Sequence, residues 1–199
     1  MKQQIFKLVT LLIVSFALVA CSSNNNEEST DQSSNEANNQ DSNEVVNEDG
    51  EQMEVDLING DEESVGTATL KEEADGVRIS LKGENLPKGT HAFHVHENST
   101  CEAPDFESAG GHFNPGDTDH GFDTEDGPHA GDLPNIVVGE DGMVEMSYLA
   151  EGVTLEEGAD NSLLDDGGTS LVIHEDADDG ESQPAGDAGD RLACGVISK

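Results

Sequence analysis

From Met53 onward the chain is a series of short β-favouring runs: MEVDLI, SVGTATLKEE, GVRISLKG, THAFHVHE, NIVVGEDGMVEMSYLA, TSLVIHE and LACGVIS. Apolar and polar residues alternate in VRISL and FHVH, the two-residue period of a strand with unlike faces. Gly, Asp and Asn punctuate the runs, as in EADG, GEDG and LDDGG. No stretch carries a sustained helical period, and there is no internal repeat. Short strands at frequent turns predict an antiparallel β-sandwich or barrel. Tryptophan is absent and aromatics make up only 4% of the chain, so the core must come mainly from Val, Leu, Ile and Ala. Two long segments, 98–132 and 175–191, lack any strand pattern. Long loops in compact domains are usually functional or disordered, and each of these begins just after a histidine-bearing strand.

The first 20 residues stand apart from this pattern. MKQQIFK places Lys2 and Lys7 ahead of the apolar run LVTLLIVSFALVA, the layout of a secretory signal peptide. The run is short for a membrane span, which needs about 20 apolar residues. Leu18-Val19-Ala20-Cys21 resembles a bacterial lipobox. That resemblance implies cleavage before Cys21, a lipid on Cys21, and an exported chain anchored to the bacterial membrane and facing outside the cytoplasm. The following stretch is Asn, Ser and Glu with almost nothing apolar. It cannot bury enough surface to offset the entropy of ordering, and it predicts a disordered acidic tether with a mean reach on the order of 30 Å. The expected organisation is a signal peptide over 1–20, lipidated Cys21 and tether over 21–52, and one domain over 53–199. Cys101 and Cys194 then remain in an oxidising setting where disulfides persist.

The formal charge is −36, and loss of Lys2 and Lys7 with no acid makes the mature chain more negative still. Such a charge excludes nucleic acid as a partner, because nucleic acid needs a positive surface. It predicts a solvated surface whose self-repulsion only salt can screen.

Three of the seven histidines crowd into HAFHVH. Strand parity puts His94 and His96 on one face, with Phe93 and Val95 on the other. His91 has the opposite parity and is read as structural or exposed. Two imidazoles at i and i+2 on a stiff strand make a chelating pair, a weak signal when alone. The segment GGHFNPGDTDHGFDTEDGPHAGD adds His112, His120, His129 and Asp132. Three imidazoles and one carboxylate suit a closed tetrahedral zinc site. His174 ends the strand SLVIH; with His94, His96 and one loop histidine it makes a four-imidazole site of the kind that suits copper.

Together FHVHENSTC, GGHFNP, the His120/His129/Asp132 set, VIHEDADD and AGDRLACGVI resemble the copper/zinc superoxide dismutase family, from about residue 53 to the C-terminus. The cysteine five residues after His96 is similar to the bacterial branch. The resemblance implies a Greek-key β-barrel of about eight strands with two functional loops, and a dismutase that converts superoxide to oxygen and hydrogen peroxide by copper redox cycling. It implies copper on His94, His96, His112 and His174, and zinc on His112, His120, His129 and Asp132, one ion of each per chain. His112 would bridge the metals and supply a proton to the product. Asp178 would hydrogen-bond one ligand of each metal. Arg191 would attract the superoxide anion, and Cys101 would pair with Cys194. No ligand position of the family pattern is missing.

The chain departs from the family in two places. The segment EDADDGESQPAGDAGD carries seven acids and no lysine, with Asp176 where animal members carry lysine. A like-charged rim should slow the encounter with an anion, so activity per copper is expected to rise with ionic strength. Ala92 stands where the family usually has glycine. Two rival readings keep the same ligands: a non-catalytic copper/zinc-binding surface lipoprotein, and a zinc-stabilised spacer. The sequence leaves monomer and homodimer equally open.

Overall fold

The computed structural model describes residues 52–199. The signal peptide, Cys21 and nearly all of the tether lie outside the described residues. The strands are β1 (Gln52–Asn59), β2 (Ser64–Glu73), β3 (Gly76–Gly83), β4 (Gly89–His91), β5 (Phe93–His96), β6 (Ile136–Val138), β7 (Val144–Ala150), β8 (Thr169–His174) and β9 (Arg191–Ile197). Seven form one antiparallel sheet in the order β5-β8-β9-β1-β2-β3-β7, and β4 pairs with β6. Only Ala92 separates β4 from β5, so they act as one bent strand passing from the small sheet to the large one. β6 packs beside β7. The expected all-β antiparallel barrel is therefore present, and its strand count is eight when β4 and β5 are taken together.

Alternation places the core. In β3, Val77, Ile79 and Leu81 are buried while Arg78, Ser80 and Lys82 face outward. Val55 and Leu57 of β1 and Ala68 and Leu70 of β2 join them. Each buried side chain of Val or Leu size contributes about 1.5–3 kcal/mol. As expected the core is mostly aliphatic, though Phe93 is wholly buried in it.

β5 and β8 are buried on both faces. Phe93, Val95, Leu171 and Ile173 face the core. The opposite faces carry His94, His96, Val172 and His174, with His94 across from Val172 and His96 across from Ser170. The β8–β9 register shifts between Ile173 and His174, which sets His174 across from Arg191. Bulges of this kind re-aim side chains beside functional sites.

Two loops cover that second face. The first, 97–135, is laced to β5. The Phe113 N–H donates to Val95 O, the Gly131 N–H to Phe113 O, and the Val95 N–H to Gly131 O, at 2.8–2.9 Å. A side chain at position 131 would put its Cβ 2.3 Å from Val95 O, so only glycine permits this approach. The second loop, 175–190, is held by Ala92, whose N–H donates to Asp176 O at 2.8 Å. Ala92 is fully buried at the bend between β4 and β5 and is not among the residues with a positive φ, so an alanine fits where the family usually has glycine. A third irregular segment, 151–168, was not singled out by the sequence. It contains an isolated bridge between Thr154 and Ser162 and a short 3-10 turn over Asp165–Gly167. The run NIVVGEDGMVEMSYLA divides into β6 and β7 at a tight turn, where the Gly139 N–H donates to Met143 O.

A disulfide joins Cys101 to Cys194 across 93 residues of sequence, tying the first loop to β9. Around it Phe106, Ala109 and Val172 form a second apolar cluster. Closing so long a loop removes much freedom from the unfolded chain. Replacing both cysteines with serine is therefore expected to lower stability by about 2–5 kcal/mol, read from guanidinium unfolding midpoints. An unchanged midpoint would show that the apolar cluster alone holds the loop.

Candidate metal centre

The strand period, the bulge and the loop lacing bring six histidines and one aspartate into two adjoining clusters. In the first, one ring nitrogen from each of His94, His96, His112 and His174 lies within 4.8 Å of the others. In the second, donor atoms of His112, His120, His129 and Asp132 meet the same limit. All seven residues are buried. His112 belongs to both clusters, and its isolated bridge to His96 carries it there from the loop.

The partners of each ring decide which nitrogen keeps a lone pair. His94 donates from Nε2 to Asp178 Oδ2 at 2.7 Å, and His120 from Nε2 to Asp178 Oδ1 at 3.0 Å. Both rings therefore present bare Nδ1 atoms. His96 donates from Nδ1 to Gly110 O at 2.9 Å, and His174 from Nδ1 to Gly189 O at 3.4 Å. Their Nε2 atoms then face each other at 3.2 Å with a lone pair on each. In the second cluster His120 Nδ1 lies 3.1 Å from Asp132 Oδ2, and His112 Nδ1 lies 2.8 Å from Asp132 Oδ1. His129 Nδ1 lies 3.3 Å from Asp132 Oδ1 and 3.4 Å from His112 Nδ1, close to the separation of about 3.3 Å that nitrogen–zinc bonds of about 2.0–2.1 Å at tetrahedral angles would give.

Among the described residues, the buried side-chain polar atoms without a hydrogen-bond partner are His94 Nδ1, His112 Nε2, His120 Nδ1 and Ser170 Oγ. Three of the four are the nitrogens that point into the clusters. A buried acceptor without a donor is costly, and lone pairs facing one another add repulsion. A cation at each centre removes both penalties, so the residues fit two metal ions.

Burial sets the protonation states. Desolvation lowers His94 to about 4 against the partial compensation of Asp178. It lowers His174 to about 3 and His96 to about 2. His129 is lowered too, again chiefly by burial. Neutral rings are the form that binds metal. For Asp178, burial alone would raise the carboxyl. Hydrogen bonds from His94, the Gly180 N–H and His120 outweigh it and bring the group to about 2. Asp132 is likewise held well below the usual carboxylate range by His112 and the Gly121 N–H, against its burial.

Arg191 lies half-buried at the start of β9, opposite His174. Its guanidinium donates to Phe106 O and, at 2.6 Å, to Gly110 O. The Gly110 carbonyl thus serves both Arg191 and His96. Phe106 holds this position in a left-handed backbone conformation (φ 55°), which its buried ring stabilises.

The six cluster histidines and Asp132 come together, Asp178 bonds two of them, Arg191 stands opposite His174, and Cys101 pairs with Cys194, whereas Cys21 lies outside the described residues. His91 is structural and not exposed. It is buried, with Nδ1 2.9 Å from both His174 O and Glu175 O, and Nε2 2.8 Å from Pro87 O. Sequence reasoning missed Asn135, whose side-chain amide binds both main-chain groups of Asp178. It also missed Gly186, where a Cβ would sit 2.1 Å from Asp178 Oδ1. Neither lies in a periodic segment, so no pattern marks them.

The family profile described as copper/zinc superoxide dismutase (SODC) matches residues 64–197. Among curated relatives, superoxide dismutase [Cu-Zn] 1 of Aquifex aeolicus is 49% identical over 143 residues, spanning 71% of this chain and 85% of that protein. The superoxide dismutase-like protein YojM of Bacillus subtilis is 42% identical over 145 residues, spanning 72% and 74%. Among solved structures, the Cu/Zn superoxide dismutase from Brucella abortus superposes with a TM-score of 0.61 at 32% identity, covering 74% of this chain and 99% of that one.

Proposed function

The chain belongs to the copper/zinc superoxide dismutase family, and from that membership we propose a residue-level account of a dismutase held at the cell surface. The protein is an oxidoreductase whose substrate is superoxide and whose cofactors are copper and zinc. In this account copper lies among His94, His96, His112 and His174, and zinc among His112, His120, His129 and Asp132. The observation that carries the assignment is His112, which turns its two ring nitrogens toward two different clusters.

Bound copper supplies the one-electron redox chemistry, and zinc, which has none, is structural. The chain's own groups do the rest. Arg191 attracts the superoxide anion as a fixed cation with oriented N–H groups, aimed by the Phe106 and Gly110 carbonyls. His112, anchored through Nδ1 beside Asp132, can hold a proton at Nε2 and give it to the departing product. Asp178 fixes the tautomers of His94 and His120 together, so one carboxylate orients a ligand of each cluster.

The setting for this chemistry is outside the cytoplasm, on a lipid carried by Cys21 and a tether over 22–52. The signal-like start and the lipobox-like LVAC support it. Metabolic labelling with a fatty acid analogue should mark the wild-type chain and miss Cys21→Ala. Label that persists in the variant would remove the anchor from the account.

The rim of this site is acidic. Glu175, Asp176, Asp179, Glu181, Asp187 and Asp190 are all exposed, and Asp105 and Glu107 act on Arg191 from the other loop. Raising ionic strength from about 0.01 M to 0.1 M shortens the Debye length from about 30 Å to 10 Å. The rate per bound copper is expected to rise at least about twofold over that range. A fall would mean that a local positive funnel at Arg191 outweighs the rim.

A further inference from the structure

Gln183 sits on the exposed second loop, yet its side chain reaches the most buried residue of the second cluster. The His120 N–H donates to Gln183 Oε1 at 2.9 Å. Gln183 Nε2 donates back to His120 O at 2.8 Å. One amide thus meets both main-chain groups of a residue 63 positions away, as a neighbouring strand would. The turn that presents it is closed by hydrogen bonds of its own. Ser182 is hydrogen-bonded to Asp179 through both N–H and hydroxyl, and the Gly186 N–H donates to Ser182 O. His120 is fully buried. A buried N–H without an acceptor is costly, so without Gln183 the His120 backbone must shift or admit water.

We propose that Gln183 is a positioning residue for His120: its amide clasps the His120 main chain, and this clasp sets how tightly the first loop retains zinc. The inference rests on the reading of the His112/His120/His129/Asp132 cluster as the zinc site. The geometry separates the clasp from the contacts of Asp178. That carboxylate fixes the ring of His120 through Nε2, whereas Gln183 fixes the chain that carries the ring. The side chain touches neither the clustered donor atoms nor Arg191. It is therefore a support joining the two loops, not a group that meets substrate.

The test is the rate of zinc release to a chelator from the full-length, copper- and zinc-loaded protein, with hydrogen exchange followed at individual amides. Gln183→Ala should release zinc about 10-fold faster than wild type, the scale at which outer partners tune metal sites. The His120 amide should exchange faster, while copper release and the amides of β1 to β3 stay as in wild type. Gln183→Met keeps the length and removes both hydrogen bonds, so it should behave like Gln183→Ala. Zinc release at the wild-type rate in Gln183→Ala would overturn the proposal. So would wild-type retention in Gln183→Met, which would assign the effect to packing, and so would faster exchange throughout the barrel. Zinc stoichiometry in His120→Ala separates the two levels. If that variant still binds zinc as wild type does, the zinc-site reading itself fails, and the clasp with it.

Discussion

Replacing His174 with alanine is expected to cut superoxide decay by the metal-loaded protein more than about 100-fold, because even outer-shell partners of metal sites cost 10–100-fold. His174 offers Nε2 to the first cluster alone, and its partner nitrogen on His96 lies 3.2 Å away. Zinc should therefore remain at one ion per chain while copper is lost. His129→Ala should show the converse, since His129 belongs only to the second cluster. His112→Ala should lose both. Metal content by mass spectrometry, measured beside the decay rate, distinguishes these patterns. Full copper occupancy with undiminished activity in His174→Ala would remove that residue from the site.

Stripping both metals is the second large effect. At free metal about 1,000 times Kd each ion adds about 4 kcal/mol of stability. At about 2–4 °C per kcal/mol for a domain of this size, the metal-free protein should melt about 15–30 °C lower. Its stability should also depend on pH in one direction. Above the ordinary histidine value of 6.5, neither the folded nor the unfolded chain protonates the buried rings. Below it the unfolded chain takes up protons that the folded metal-free chain resists, so stability falls as pH falls. The loss spans pH 6.5 to about 4 for His94, about 3 for His174 and about 2 for His96. Asp178 adds to it at the acid end. Its carboxyl is lowered from 3.8 to about 2, a contribution present above 3.8 and lost as pH falls through about 2. Calorimetry of metal-free and loaded protein from about pH 7 to pH 5 checks this, and a metal-free melting temperature that rises on acidification would contradict it.

The parts of this site that lie on strands were readable because strand parity is local. His94 and His96 face one way and Phe93 and Val95 the other, as the alternation of FHVH requires. His174 could be placed at the end of β8, but not the bulge that turns it toward Arg191. The loop ligands were legible by residue type and order, and their convergence needed the lacing of Phe113 and Gly131 onto Val95. The supports were hidden. Asn135, Gln183 and Phe106 lie in irregular segments, where no period marks a buried or bonded side chain. Their partners stand 43, 63 and 85 residues away. His91 illustrates the same limit, since parity separated it from the ligands but not from solvent. Its burial comes from the carbonyls of His174 and Glu175, far along the chain.

The most direct measurement is superoxide decay by pulse radiolysis on protein loaded with zinc and with graded amounts of copper, with metal content determined on each sample. The account predicts second-order decay that rises in proportion to bound copper and reaches its maximum at one copper per chain. Decay no faster than buffer at full copper and zinc loading would contradict it and leave a metal-binding protein without turnover.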